Sequence, residues 1–168
     1  MHPIIVVMGV TGVGKTTIGR LVAEALQIPF LDADDFHSDA AKAQMHEGIP
    51  LTDDERAPWL DRINDALHEH TASGAVLACS ALTDDYRARL TAGLGQVRFL
   101  LLTGDPELIR QRIAARIGHF AGPNLLPSQL DTLEIPADAV TVNVDDAPDV
   151  ITQRALDALQ LSSGGGTP

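Results

Sequence analysis

The sequence predicts an α/β protein with three layers, in which helices cover both faces of a central parallel sheet of five strands. Two observations predict this class. Short apolar runs alternate with longer stretches of helical periodicity, and the first run, at 4–8, is continuously apolar and mostly β-branched. Such a run is typical of a strand buried on both faces of a parallel sheet. The length of 168 residues suits one domain, predicted at 1–161.

Each element in the first half of the chain is predicted from periodicity or from a capping residue. The stretch at 15–26 repeats apolar residues at helical spacing directly after a glycine loop. Thr52 and Glu55 have the spacing of a capping box, which predicts that a helix begins there. The predicted elements are strands at 4–8, 29–32 and 75–79 and helices at 15–26, 38–45 and 52–70.

The second half is assigned in the same way. Thr83 precedes two acidic residues, and Asp105 precedes a proline, and both patterns are typical of a helix start. Glycines and prolines at 118–127 predict a mobile loop within a lid at 112–127, and the Gly-rich end at 162–168 predicts a flexible tail. The predicted elements are strands at 97–102 and 139–144 and helices at 83–90, 105–117, 127–133 and 148–161.

The composition argues against two classes of partner. The formal net charge is −11, whereas nucleic acids and anionic membranes favour basic surfaces. The sequence shows neither a signal peptide nor a membrane-spanning run, which predicts a cytoplasmic protein. Cys79 is the only cysteine, so no internal disulfide forms, and its apolar neighbours predict a buried core position.

A glycine-rich loop follows the first strand and carries a specific motif. Residues 9–16 read GVTGVGKT and match the phosphate-binding pattern G-x-x-x-x-G-K-[ST]. Lys15 is predicted to act on the β- and γ-phosphates of ATP as a catalytic residue, and the Thr16 hydroxyl to ligate Mg²⁺. The predicted nucleotide-binding residues are Gly9, Thr11, Gly12, Val13, Gly14, Lys15, Thr16 and Thr17. The motif alone leaves kinases, ATPases, GTPases and switch proteins open.

Acidic residues end the second predicted strand. Asp32 and Asp34 are two positions apart, so in an extended chain their side chains point the same way. Ligands gather at the carboxyl ends of parallel strands, which places both carboxylates near the phosphate loop. Asp32 is predicted to hold Mg²⁺, and Asp34 to orient or deprotonate the attacking hydroxyl of a substrate. Asp35 is predicted to be a solvated turn residue.

Arginines are predicted to handle most of the anionic groups, because the chain has only two lysines. Arg112 and Arg116 are four positions apart on a predicted helix beside the lid, where they could supply charge to the transferring phosphoryl group as catalytic residues. Arg56 lies in the first turn of a predicted helix. A cation there opposes the helix dipole, so its placement indicates a ligand.

Several segments together resemble the gluconokinase family. These segments are 30–37, 42–45, 48–60, 79–82 with Tyr86 and Arg87, 112–116 with 118–120, 125–126 with 128–129, and 133–136. The resemblance implies a homodimeric kinase with a fold like that of nucleoside monophosphate kinases, which uses ATP and Mg²⁺ to convert gluconate to 6-phosphogluconate. It further implies that His37, Ser80 and Arg87 contact gluconate together with Asp34 and Arg56.

Three positions depart from the family pattern on the predicted sugar-acid side. Thr83 stands where the family usually has lysine, and Ser38 and Ala41 replace a proline and an asparagine. Two alternatives therefore stay open beside gluconate phosphorylation. One is a kinase for another small sugar or polyol acid, such as shikimate. The other is a catalytically inactive, ATP-binding regulatory module.

Overall fold

A computed structural model describes residues 2–116 and 125–161. Its strands form one parallel sheet of five, in the order β2-β3-β1-β4-β5. The strands are β1 (Ile4–Met8), β2 (Phe30–Asp32), β3 (Ala75–Ala78), β4 (Val97–Thr103) and β5 (Val140–Asn143). The helices are α1 (Lys15–Leu26), α2 (Asp39–His46), α3 (Asp53–Glu69), α4 (Asp84–Leu90), α5 (Pro106–Ala114), α6 (Leu125–Thr132) and α7 (Pro148–Ala158). A 3-10 helix, Ala33–Phe36, follows β2.

The two faces of the sheet bury two separate apolar clusters. Ile5 and Val7 of β1 lie in one cluster with residues of α1, α5, α6 and α7. Val6 and Met8 lie in the other, which includes residues of α3 and α4. Because alternate strand residues point to opposite faces, a fully apolar β1 requires helices on both sides. The predicted three-layer α/β/α architecture is confirmed.

Capping residues set several helix starts where the sequence predicts them. The Thr52 hydroxyl accepts the Glu55 N–H, and the Glu55 carboxylate accepts the Thr52 N–H, so the capping box of α3 is complete. Thr83 caps α4, and Asp105 caps α5 with a proline at its first position. Such caps satisfy backbone N–H groups that have no partner within the helix.

The structure corrects the ends of two predicted helices beside the lid. α5 ends at Ala114 rather than near residue 117, and α6 begins at Leu125 rather than at residue 127. Residues 117–124 of the predicted lid and the predicted tail at 162–168 lie outside the described residues. None of the helices within the described ranges combines the length and apolar composition needed to cross a bilayer.

Candidate active site

The carboxyl ends of β1, β2 and β3 meet beside a cavity of about 810 Å³. The glycine loop follows β1, and Asp32 at the end of β2 pairs with Ala78 at the end of β3. Part of the wall comes from α6 and from the segment that joins α2 to α3. Eleven predicted site residues line this cavity: Thr11, Gly12, Gly14, Lys15, Thr16, Asp32, Asp34, His37, Arg56, Ser80 and Arg116.

The glycine loop has the backbone shape of a phosphate cradle. Gly12 and Gly14 have φ angles of 78° and 102°, in the left-handed region that favours glycine. A Cβ on Gly12 would also overlap the Ile113 side chain, so this position excludes larger residues. Gly14 caps α1 without a side-chain acceptor. The first N–H groups of that helix can therefore bind an anion such as phosphate.

Lys15 is the main cation beside this loop. Its Nζ donates to the Val10 carbonyl at 2.9 Å, which holds the side chain along the loop. Burial, together with the weaker effect of the Arg116 guanidinium, lowers the pKa of Lys15 to about 8, although the nearby Cys79, Asp34 and Asp32 side chains act in the opposite direction. Lys15 therefore lies within electrostatic reach of all three charged side chains. A phosphate on the loop would supply the counter-charge that the buried ammonium needs.

The two predicted carboxylates have different local partners. Asp32 accepts a hydrogen bond from the Thr16 hydroxyl at 2.9 Å, and its second oxygen accepts the Asp34 N–H at 3.0 Å. The second bond caps the 3-10 helix, so Asp34 lies in a helical turn. The prediction that Asp32 and Asp34 share an extended segment is therefore wrong, although both line the cavity. The Thr16 and Asp32 oxygens form a hard donor pair that suits Mg²⁺.

His37 stacks on Trp59, with ring centroids 4.4 Å apart and planes 8° from parallel. Its Nδ1 is buried and has no hydrogen-bond partner among the residues that the structure describes. Burial lowers the pKa of His37 to about 4, and the nearby charges of Arg62, Lys42 and Arg56 contribute. The imidazole is therefore neutral near pH 7. A hydroxyl group of a ligand could satisfy the buried nitrogen.

Arg112 and Arg116 are separated by the early end of α5. The Arg112 Nη2 donates to the Val144 carbonyl at 2.9 Å, and this side chain lies outside the cavity lining. Arg116 follows the helix end and lines the cavity. The prediction that both arginines share one helix face at the site is therefore wrong. Arg112 connects α5 to the end of β5 instead.

Arg87 is buried behind the site rather than in its wall. One Nη donates to the Ala81 carbonyl at 2.6 Å, and the other contacts the Asp84 carboxylate. Ala81 has a φ of 45° in the turn that follows β3. Arg87 therefore braces this strained turn, which places Ser80 in the cavity lining. Among the other predicted residues, Gly9 and Val13 are buried and Thr17 is exposed, and none of the three lines the cavity.

Several lining residues were not predicted as site residues, and Gln129 of α6 is the most informative. Its Oε1 accepts the Thr11 N–H of the glycine loop at 2.6 Å. Lys42 and Tyr86 also line the cavity. The sequence offers no spacing signal for a contact between positions 118 residues apart. Gln129 and Tyr86 lie in segments that carry the family resemblance, but that resemblance alone gives them no role.

Comparisons with known proteins agree with this geometry. The family model described as shikimate kinase matches residues 11–157. A Dictyostelium discoideum protein named "Probable gluconokinase" is 44% identical over 148 residues, which cover 83% of this chain and 74% of that protein. The thermosensitive gluconokinase of Escherichia coli is 40% identical, over 92% of this chain and 86% of its own length. The chain belongs to the gluconokinase family.

A solved gluconokinase structure extends this likeness to the fold. The crystal structure of a gluconokinase from Sinorhizobium meliloti superimposes with a TM-score of 0.83 at 40% identity, covering 94% of this chain and 91% of that one. The shikimate kinase match covers most of the same residues. The gluconokinase family therefore lies within a wider group of P-loop kinases, and the resemblance noted in the sequence is confirmed.

We expect Gln129→Glu to weaken ATP binding in this gluconokinase-family protein. The new carboxylate would lie against the Thr11 N–H, beside the loop where phosphate oxygens must bind. Its negative charge would repel the phosphate charge strongly at such short range. The KM for ATP should rise at least about tenfold. Gln153→Glu adds the same charge on α7, outside the cavity lining, and should leave the KM for ATP unchanged. An unchanged KM for ATP in Gln129→Glu would contradict the placement of phosphates beside Thr11.

Proposed function

We propose that this protein transfers the γ-phosphoryl group of ATP to the 6-hydroxyl of D-gluconate, forming 6-phospho-D-gluconate and ADP. The observation that carries the proposal is that one cavity combines a phosphate loop with a second set of cationic and polar residues. The loop side contributes Lys15 and Thr16, and the other side contributes Arg56, Lys42 and His37. A sugar acid needs both a cation for its carboxylate and polar groups for its hydroxyls.

Different residues of the cavity would carry out different parts of the reaction. Asp34 would accept the proton of the attacking hydroxyl, while Lys15 and Arg116 stabilise the charge that develops on the transferring group. Thr16 and Asp32 would hold Mg²⁺, which neutralises phosphate charge when bound. The neutral His37 would bind a gluconate hydroxyl through Nδ1. Most of the catalytic effect would come from positioning and from preorganised charge.

The Thr83 departure fits an active enzyme. Thr83 accepts the Tyr86 N–H at 3.3 Å as the cap of α4, so it has a structural task that lysine could not perform. The positive charge usually found at that position would be supplied by Arg56, which contacts Tyr86 in the first turn of the same helix. A kinase for another small sugar or polyol acid and a catalytically inactive ATP-binding module are the two alternatives to be tested. The cytoplasmic location, the homodimer and the single domain at 1–161 stay predictions.

We expect purified protein to release ADP when ATP, Mg²⁺ and D-gluconate are all present, and chelation of Mg²⁺ to abolish the release. The assay should include shikimate, other sugar acids and nucleoside monophosphates as candidate acceptors. Turnover of shikimate or a nucleotide without turnover of gluconate would contradict the proposed substrate. ATP binding without turnover of any acceptor would favour the regulatory alternative.

A further inference from the structure

Arg56 is held on the cavity wall by a closed ring of hydrogen bonds. Its Nη1 donates to the Tyr86 hydroxyl at 2.7 Å and to the Asp53 carboxylate at 3.1 Å. The Tyr86 hydroxyl in turn donates to the same Asp53 oxygen at 2.7 Å. The Arg56 guanidinium also lies 5.4 Å from the centre of the Tyr86 ring. Tyr86 therefore contacts Arg56 through both its hydroxyl and its ring.

We propose that Tyr86 is a positioning residue, which holds the Arg56 guanidinium in the orientation that binds the substrate carboxylate. This inference rests on the proposed function, because it assigns Arg56 to the sugar acid. Tyr86 comes from α4, whereas Arg56 and Asp53 come from the first turn of α3. The relative placement of two helices would thus set the geometry of the anion site.

The geometry of the ring supports positioning better than it supports a contribution to stability. The Asp53 side chain is 82% exposed and that of Arg56 is 30% exposed, and ion pairs in such settings stabilise folds little. Both bonds to Tyr86 and Asp53 use Nη1 of Arg56. Within the described residues, Nε and Nη2 donate no hydrogen bond, so they can offer a carboxylate two parallel donors.

A held arginine binds an anion more tightly than a mobile one. A free arginine side chain loses several rotatable degrees of freedom when it binds, and a preformed orientation removes part of that loss. Burial and the Asp53 carboxylate raise the pKa of Tyr86, so its hydroxyl remains a donor at neutral pH.

The test compares Tyr86→Phe in two backgrounds. In the wild type, the substitution should raise the KM for gluconate about tenfold, which is the effect of losing one hydrogen bond to a charged group. The KM for ATP and kcat should stay within about twofold of the wild-type values. In an Arg56→Ala background, the same substitution should change the KM for gluconate less than about twofold, because the group that Tyr86 positions is gone. An equal effect in both backgrounds would overturn the proposal in favour of direct contact between Tyr86 and gluconate.

Asp61→Asn is the matched control. Asp61 of α3 pairs with Arg89 of α4 through two bonds of 2.7 and 2.8 Å, so it joins the same two helices away from the cavity. It should leave the KM for gluconate unchanged. An equal rise in both variants would mean that helix docking alone matters, and an unchanged KM in Tyr86→Phe would overturn the inference directly. If wild-type protein turned over no gluconate, the proposed function itself would fail instead.

Discussion

Replacing Lys15 with alanine should lower kcat by about 10²–10³-fold, the scale seen when one preorganised charge is removed from a transition state. Lys15 is the cation bonded along the glycine loop, where burial lowers its pKa to about 8. A transferring phosphoryl group supplies the negative charge that this ammonium lacks. The measurement is steady-state ADP release at saturating ATP and gluconate. A loss smaller than about tenfold would contradict the assignment.

Two controls separate this loss from misfolding and from a general charge effect. Removing a desolvated ammonium relieves an unfavourable burial, so Lys15→Ala should melt no lower than the wild type. Arg20→Gln removes an equal charge from the same helix, on an exposed side chain outside the cavity lining. This variant should keep wild-type kcat. A parallel fall in both variants would show that net charge, rather than the position of Lys15, controls the rate.

Local signals predicted the secondary structure well. The capping box of Thr52 and Glu55 and the cap at Thr83 act over three residues, so the sequence determines them without tertiary context. The continuous apolar run of β1 likewise predicted burial on both sheet faces. Lys15 and Thr16 of the phosphate motif both line the cavity, because a strand, a glycine turn and a helix fix the loop locally.

Contacts between distant elements were the part that sequence reasoning missed. Arg112 looks like a ligand-binding arginine by position, yet the carbonyl oxygen of Val144, just after β5, accepts its hydrogen bond. Nothing in the local sequence announces an acceptor supplied by another element. Gln129 was missed for the opposite reason: it is uncharged and was not predicted as a site residue, yet its side chain contacts the phosphate loop. The length of α5 was also mispredicted. The helix ends at Ala114, so Arg112 and Arg116 do not share the helix face that continuous periodicity would give them.

Asp34 and Asp32 show how the structure refines a prediction that sequence left broad. The sequence predicted metal binding by Asp32 and proton transfer by Asp34, without showing what either side chain contacts. The structure gives Asp32 a bond to the Thr16 hydroxyl and thereby ties it to the phosphate side of the cavity. Asp34 lies two residues later, within the 3-10 helix that Asp32 caps, and lines the same cavity. This difference in partners predicts different effects on ATP binding and on the chemical step.

Asp34→Asn should therefore lower kcat by about 10²–10⁴-fold, the usual contribution of a general base, and leave the KM for ATP nearly unchanged. Asparagine keeps the size and one acceptor oxygen of the side chain, but it cannot take the proton of the attacking hydroxyl. Asp32→Asn should act differently, because it weakens the acceptor of Thr16 and the cap of the 3-10 helix, and should raise the KM for ATP. Both constants are measured for each variant over a range of Mg²⁺ concentrations.

The neighbouring Asp35 supplies the control for this prediction. It is an exposed carboxylate in the same 3-10 helix and lies outside the cavity lining, so Asp35→Asn makes the same chemical change without touching the site. It should keep kcat and both KM values. If Asp34→Asn instead raised the KM for ATP strongly, and added Mg²⁺ restored its rate, then Asp34 would be a metal ligand. The proton of the hydroxyl would then pass to another group, for which Asp32, the other carboxylate in the cavity lining, is the candidate.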